Sequence, residues 1–135
     1  MIRKVWLYLL KIKDEHTALA KVEEWKALIE NQTNKRVKVL RIDNGLGYCN
    51  EEFEMFCKYQ VILRCKTVRN TPQQNDLAER MNRTLLDRVT CMLYSSGLSK
   101  HFWGEAIMTA CYFVNRTPSS ATDFKTPKEL CWKTF

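Results

Sequence analysis

Short apolar runs alternate along the chain with longer stretches in which apolar residues recur every third or fourth position. The first run, Val5-Trp6-Leu7-Tyr8-Leu9-Leu10, is brief and bounded by charge. It predicts a strand over about Lys4–Lys11, covered on both faces. Ala18, Val22, Trp25 and Ile29 then fall on one helical face and predict a helix from Glu15 to Asn31. Asn34-Lys35-Arg36 marks a turn, Val37–Ile42 a second strand, and Asp43-Asn44-Gly45 its end. Asn50 is placed to cap a short helix through Lys58, with Glu51 and Glu52 in its first turn and Phe53, Phe56 and Cys57 inward. Val61–Val68 predicts a third strand.

A polar loop is expected over Arg69–Asn75, then a long helix from Asp76 to Tyr94 with Leu77, Met81, Leu85, Val89 and Met92 as its core stripe. At about 100° per residue, Glu79 lies just beside that stripe, half-shielded, on the side of Leu86. Arg80, Arg83 and Asp87 take the outer face. A last helix runs from the cap Ser99 to Asn115, with Phe102, Ala106, Ala110 and Phe113 inward, and Arg116-Thr117-Pro118 stops it. The tail to Phe135 reads as irregular, with a helical turn after Pro127. This alternation predicts an α/β domain in which the second and third strands pair in parallel.

Length and charge narrow the picture. A chain of 135 residues can bury one core, and a net charge of +7 favours an anionic partner, nucleic acid before membrane. Six cysteines without a C-x-x-C pair, and two histidines, argue against zinc. Reduced, buried thiols are the favoured reading, disulfides the weaker one. The first apolar run is too short to span a membrane and lacks a cleavage site, so an intracellular protein of nucleus or cytoplasm is expected. The sequons at Asn31, Asn82 and Asn115 then read as chance matches.

The candidate chemistry lies in two carboxylates, Asp43 and Glu79, with thirty-five residues between them. An acid ending a strand and another early in a helix suit a crevice beyond the sheet. On the residues alone, plainer readings stand beside this one. Asp43 begins an Asp-Asn-Gly turn, Glu79 pairs with Arg83 one turn on, Arg80 and Arg83 form a solvated face, and Gln73-Gln74-Asn75 is an ordinary loop.

The flanking motifs go further. Leu40-Arg41-Ile42-Asp43-Asn44-Gly45 and the run from Thr71-Pro72-Gln73-Gln74-Asn75 to Glu79-Arg80-Met81-Asn82-Arg83 closely resemble the integrase core of copia-type retrotransposons. Phe102-Trp103-Gly104-Glu105-Ala106, Asn115-Arg116-Thr117-Pro118 and Thr126-Pro127 resemble its downstream landmarks, and Arg3-Lys4-Val5-Trp6 the segment after its second strand. The resemblance implies a ribonuclease H-like fold in which three acids hold two Mg²⁺ or Mn²⁺ ions about 3.5–4 Å apart for DNA strand transfer. It makes Asp43 the second acid and Glu79 the third. It places Gln73, Gln74 and Asn75 beside the DNA, Arg80 and Arg83 toward phosphates, and Lys66 and Arg69 on the same basic edge. The implied partners are element and target DNA and further copies of the chain.

The first acid and the first two strands of that fold would precede Met1, so the expectation is an incomplete core, inactive as this fragment. Residues 1–118 form its catalytic-core part and 119–135 its C-terminal end. Asp76 and Val61 stand where the family usually or often has Gly, Gly47 where it has an acid, and Cys65 where His is common. The alternatives are a non-catalytic basic module that binds nucleic acid or other integrase chains, and a nonfunctional remnant.

Overall fold

The computed structural model describes residues 4–11, 14–42, 50–66 and 72–132, with Glu15, Pro72, Gln73, Gln74, Asn75, Ala121 and Trp132 placed by their backbone alone. Helices α1 (Glu15–Thr33), α2 (Glu51–Tyr59), α3 (Pro72–Ser96), α4 (Trp103–Arg116) and α5 (Pro127–Trp132) accompany strands β1 (Val39–Ile42) and β2 (Leu63–Lys66). The contacts divide the chain into two units, Leu10–Asp76 and Met1–Leu9 with Leu77–Phe135. No helix among the described residues is long and apolar enough to cross a membrane.

In the Leu10–Asp76 unit, β1 and β2 pair in parallel as predicted, in the register Val39↔Leu63 to Ile42↔Lys66. Alternation selects the inward residues, with Ile42 buried and Leu40 packed behind it. Phe53, Cys57 and Ile62 complete this core, and Leu19 and Val22 of α1 pack against it. Phe53 is fully buried, which contributes about 1.5–3 kcal/mol. Asn50 caps α2 by accepting the Phe53 N–H at 2.9 Å.

The end of α2 is a tight reversal. The Val61 N–H donates to the Lys58 carbonyl at 3.2 Å and the Ile62 N–H to that of Cys57 at 2.9 Å, the paired bonds of a Schellman motif. That motif needs a left-handed residue, and Val61 supplies it at φ 55°. A β-branched side chain is strained there, where glycine is not. Glu30 ties α1 to the chain entering β1, because it takes Lys26 at 2.7 Å on one oxygen and the Val37 N–H at 2.7 Å on the other.

In the second unit, Leu85 and Val89 of α3 meet Ala106, Ile107, Ala110, Cys111 and Val114 of α4, with Met81, Met92, Leu93, Val5 and Leu7 packed against them. Three expectations fail here. Leu77, Phe102 and Phe113 are about half exposed rather than inward. The buried arc of α4 is centred on Ala110 and Val114, and Phe113 lies to one side of it.

The predicted first strand is also absent, since residues 4–10 carry no strand structure. A strand needs a hydrogen-bonded neighbour, and none of the described residues provides one. The Asn115 carboxamide substitutes at one point: its Oδ1 accepts the Val5 N–H at 2.8 Å and its Nδ2 donates to the Val5 carbonyl at 2.9 Å. An asparagine buried and held in this way is not open to glycosylation.

The tail is more ordered than its sequence suggests. Thr126 and Glu129 form a reciprocal capping box, with the Glu129 N–H donating to Thr126 Oγ1 at 3.2 Å and the Thr126 N–H to Glu129 Oε2 at 3.0 Å. The T-x-x-E spacing with proline at the first helical position carries that signal. Cys57, Cys111 and Cys131 are buried free thiols, Cys65 is half-buried and Cys91 exposed. Burial pushes the Cys57 and Cys111 thiols above their ordinary range.

Candidate metal and nucleic-acid site

The described members of the predicted site lie on two elements: Lys66 ends β2, and Gln73, Gln74, Asn75, Glu79, Arg80 and Arg83 belong to the first turns of α3. Ile42, the last residue of β1, is the register partner of Lys66, the last of β2. Asp43 itself and Arg69 lie outside the described residues.

α3 begins at Pro72, four residues before its predicted start. Gln73, Gln74 and Asn75 are therefore in its first turn and not in a loop. Proline explains the shift, since its fixed φ and missing N–H are both tolerated where a helix starts. Asp76, expected to start the helix, lies inside it.

Glu79 is exposed and not half-shielded, because the packed stripe is narrow and runs through Leu85 and Val89. Arg80, Arg83 and Asp87 share the exposed side. Glu79 and Arg83 stand one turn apart, yet no ion pair joins them. Arg80 is exposed but engaged within the fold. Among the described residues, no three His, Cys, Asp or Glu side chains converge on one point.

Arg64 was not singled out in the sequence. It shares a strand face with Lys66, the i, i+2 relation that would have found it. Its side chain is 15% exposed, with Nη2 at 3.9 Å from Glu54, and its Nη1 has no hydrogen-bond partner among the described residues. Glu54 is the local counter-charge. The Lys58 hydrogen bond, then the charges of Lys58, Arg64 and Lys66, hold its carboxyl below the ordinary range against a small opposing effect of burial.

No protein-family model matches the chain. In sequence it is similar to the retrovirus-related Pol polyprotein from transposon TNT 1-94 of Nicotiana tabacum, 45% identical over 128 residues, 95% of this chain. The chain spans about 10% of that relative's length. In structure it is similar to a chain of the simian T-cell lymphotropic virus intasome, with TM-score 0.68 and 20% identity over 90% of this chain and 41% of that one. The catalytic core domain of BIV integrase gives TM-score 0.65 and 21% identity over 94% and 76%. The HTLV-2 integrase catalytic core domain in complex with magnesium gives 0.62 and 19% over 88% and 70%.

Proposed function

We propose a role for a chain that is copia-type retrotransposon in its sequence kinship and integrase catalytic core in its fold: it is an integrase-derived domain that binds DNA and carries Asp43 and Glu79 as metal ligands. The observation that carries this reading is the state of Glu79 and Arg83. Each is exposed on α3 and neither is neutralised by the other. A carboxylate beside a guanidinium, each without an ion pair among the described residues, leaves one group for a cation and one for a phosphate.

Glu79 fits a divalent cation by its chemistry, as a hard oxygen donor on a rigid helix with no competing ion pair. Asp43, the next residue in sequence after β1, is the second ligand. Bound Mg²⁺ or Mn²⁺ supplies Lewis-acid stabilisation of charge at a phosphodiester. The chain's own groups orient the substrate. Arg83, Arg80, Lys66 and Arg69 hold phosphates, and Gln73, Gln74 and Asn75 contribute hydrogen bonds from the first turn of α3. With only these two acids, residues 1–135 hold the cation weakly and do not by themselves catalyse strand transfer. Residues 1–118 carry the DNA and metal functions, and 119–135 complete the C-terminal end of the core region.

A labelled DNA duplex titrated with the chain tests the reading. Four phosphate contacts predict a slope of about −3.6 for log affinity against log salt. Arg83→Glu weakens binding, while Glu79→Gln leaves it in place. Salt-independent binding, or none, contradicts the reading.

A second reading, an oligomerisation module, is favoured by α4. Met108, Tyr112 and Phe113 are each about half exposed on its outer side, with Arg116 stacked at 3.6 Å over Tyr112. Sedimentation of Tyr112→Asp/Phe113→Asp separates the two readings: an oligomer that becomes monomeric supports self-association through α4. An unchanged state removes it.

A further inference from the structure

We propose that the groove between α1 and α2 is a docking site for a cationic, amphipathic peptide segment of a partner protein. The groove encloses about 590 Å³, within the usual range of binding clefts. Leu19, Met55, Phe56 and Tyr59 give it an apolar wall. Met55 is 52% and Tyr59 80% exposed, far more than core packing leaves to an aromatic and a long aliphatic side chain. Glu23, Glu51 and Glu52 surround that wall, and among the described residues no Lys or Arg lines it.

The acids are what identify the occupant. In a chain of net charge +7, a cleft walled by apolar groups and bordered, among the described residues, by three carboxylates and the neutral Gln60 repels nucleic acid and attracts a cation. Glu51 and Glu52 have a local explanation in the first turn of α2, where the helix dipole favours acids. Glu23 has none, since it sits in the middle of α1. Glu52 is paired with His16 at 2.8 Å, but Glu23 and Glu51 have no ion pair among the described residues. An amphipathic segment satisfies both features at once. An aromatic or branched aliphatic side chain covers Met55 and Tyr59, and flanking Arg or Lys residues meet Glu23 and Glu51.

The test uses the whole chain and a fluorescein-labelled 14-residue peptide in which Leu and Phe recur three and four apart with Arg between. Anisotropy is expected to show saturable, salt-sensitive binding. Glu23→Gln/Glu51→Gln and Met55→Ala/Tyr59→Ala are each expected to weaken it by about tenfold or more. All four positions are solvent-facing, and an unchanged circular dichroism spectrum confirms the fold. Replacing every Arg of the peptide by Glu is expected to abolish binding. The proposal is overturned if both variants bind as wild type does, or if oligo-arginine binds as tightly as the amphipathic peptide. It is equally overturned if the wild-type chain is a dimer that Met55→Ala/Tyr59→Ala makes monomeric, because the occupant is then a second copy.

Discussion

Asn115 bonds both polar atoms of one residue, Val5, through a single carboxamide. Replacing it by Ala leaves the part-buried Val5 N–H without its partner and the Val5 carbonyl with only the weak Cys111 thiol donor at 3.7 Å, which costs about 1–3 kcal/mol. Denaturant unfolding is expected to show that loss, with hydrogen exchange at the Val5 amide accelerated. Glu79 gives the opposite expectation. It is exposed and has no ion pair among the described residues, so Glu79→Gln is expected to change stability by no more than about 0.5 kcal/mol. A larger loss would mean that Glu79 serves the fold and not a ligand. The sequence placed Arg80, Arg83 and Asp87 outward through helical periodicity alone. It did not reveal Asn115, because a side-chain bond to a residue more than a hundred positions away leaves no local pattern.

The elements show where periodicity sufficed and where it did not. α1, α2, β1 and β2 were legible because each combines an apolar pattern with a cap or turn residue. Residues 4–10 have the composition of a strand, but strand structure belongs to pairs, and composition does not report the partner. The start of α3 was misread because Gln-Gln-Asn looks like a loop, although Pro72 marks a first helical turn. Val61 is the element whose sequence and conformation disagree most. Its left-handed φ of 55° costs about 1 kcal/mol relative to Gly. Val61→Gly is therefore expected to raise the unfolding free energy by up to about 1 kcal/mol, less the added chain entropy of glycine. A destabilised variant would contradict the Schellman geometry. Glu30 adds a dependence on acid. The hydrogen bonds from Lys26 and the Val37 N–H hold its carboxyl below its ordinary 4.5. Its stabilisation is present above that value and lost as pH falls through the lower, folded one. Glu30→Gln is expected to flatten the stability profile on that acid side.

For the whole molecule, the charge of +7 favours an anionic partner, and the likeness to integrase catalytic cores gives the fold. Charge alone did not distinguish nucleic acid from membrane, and the spacing of two acids alone was weak. The motifs around them carry the resemblance to the copia-type integrase core, since they hold their residues in fixed order over a stretch long enough to be specific. The proposed coupling of Asp43 and Glu79 through one shared ion leaves no local pattern in the sequence. That coupling is the central claim, and Mn²⁺ binding tests it most directly. Free Mn²⁺ is followed by electron paramagnetic resonance during titration of the wild-type chain, Asp43→Asn, Glu79→Gln and the double variant. If the two carboxylates share an ion, each single change weakens the same site by about tenfold or more and the double variant is hardly worse than either. Additive losses, or wild-type binding in either single variant, would show that the acids do not form one site.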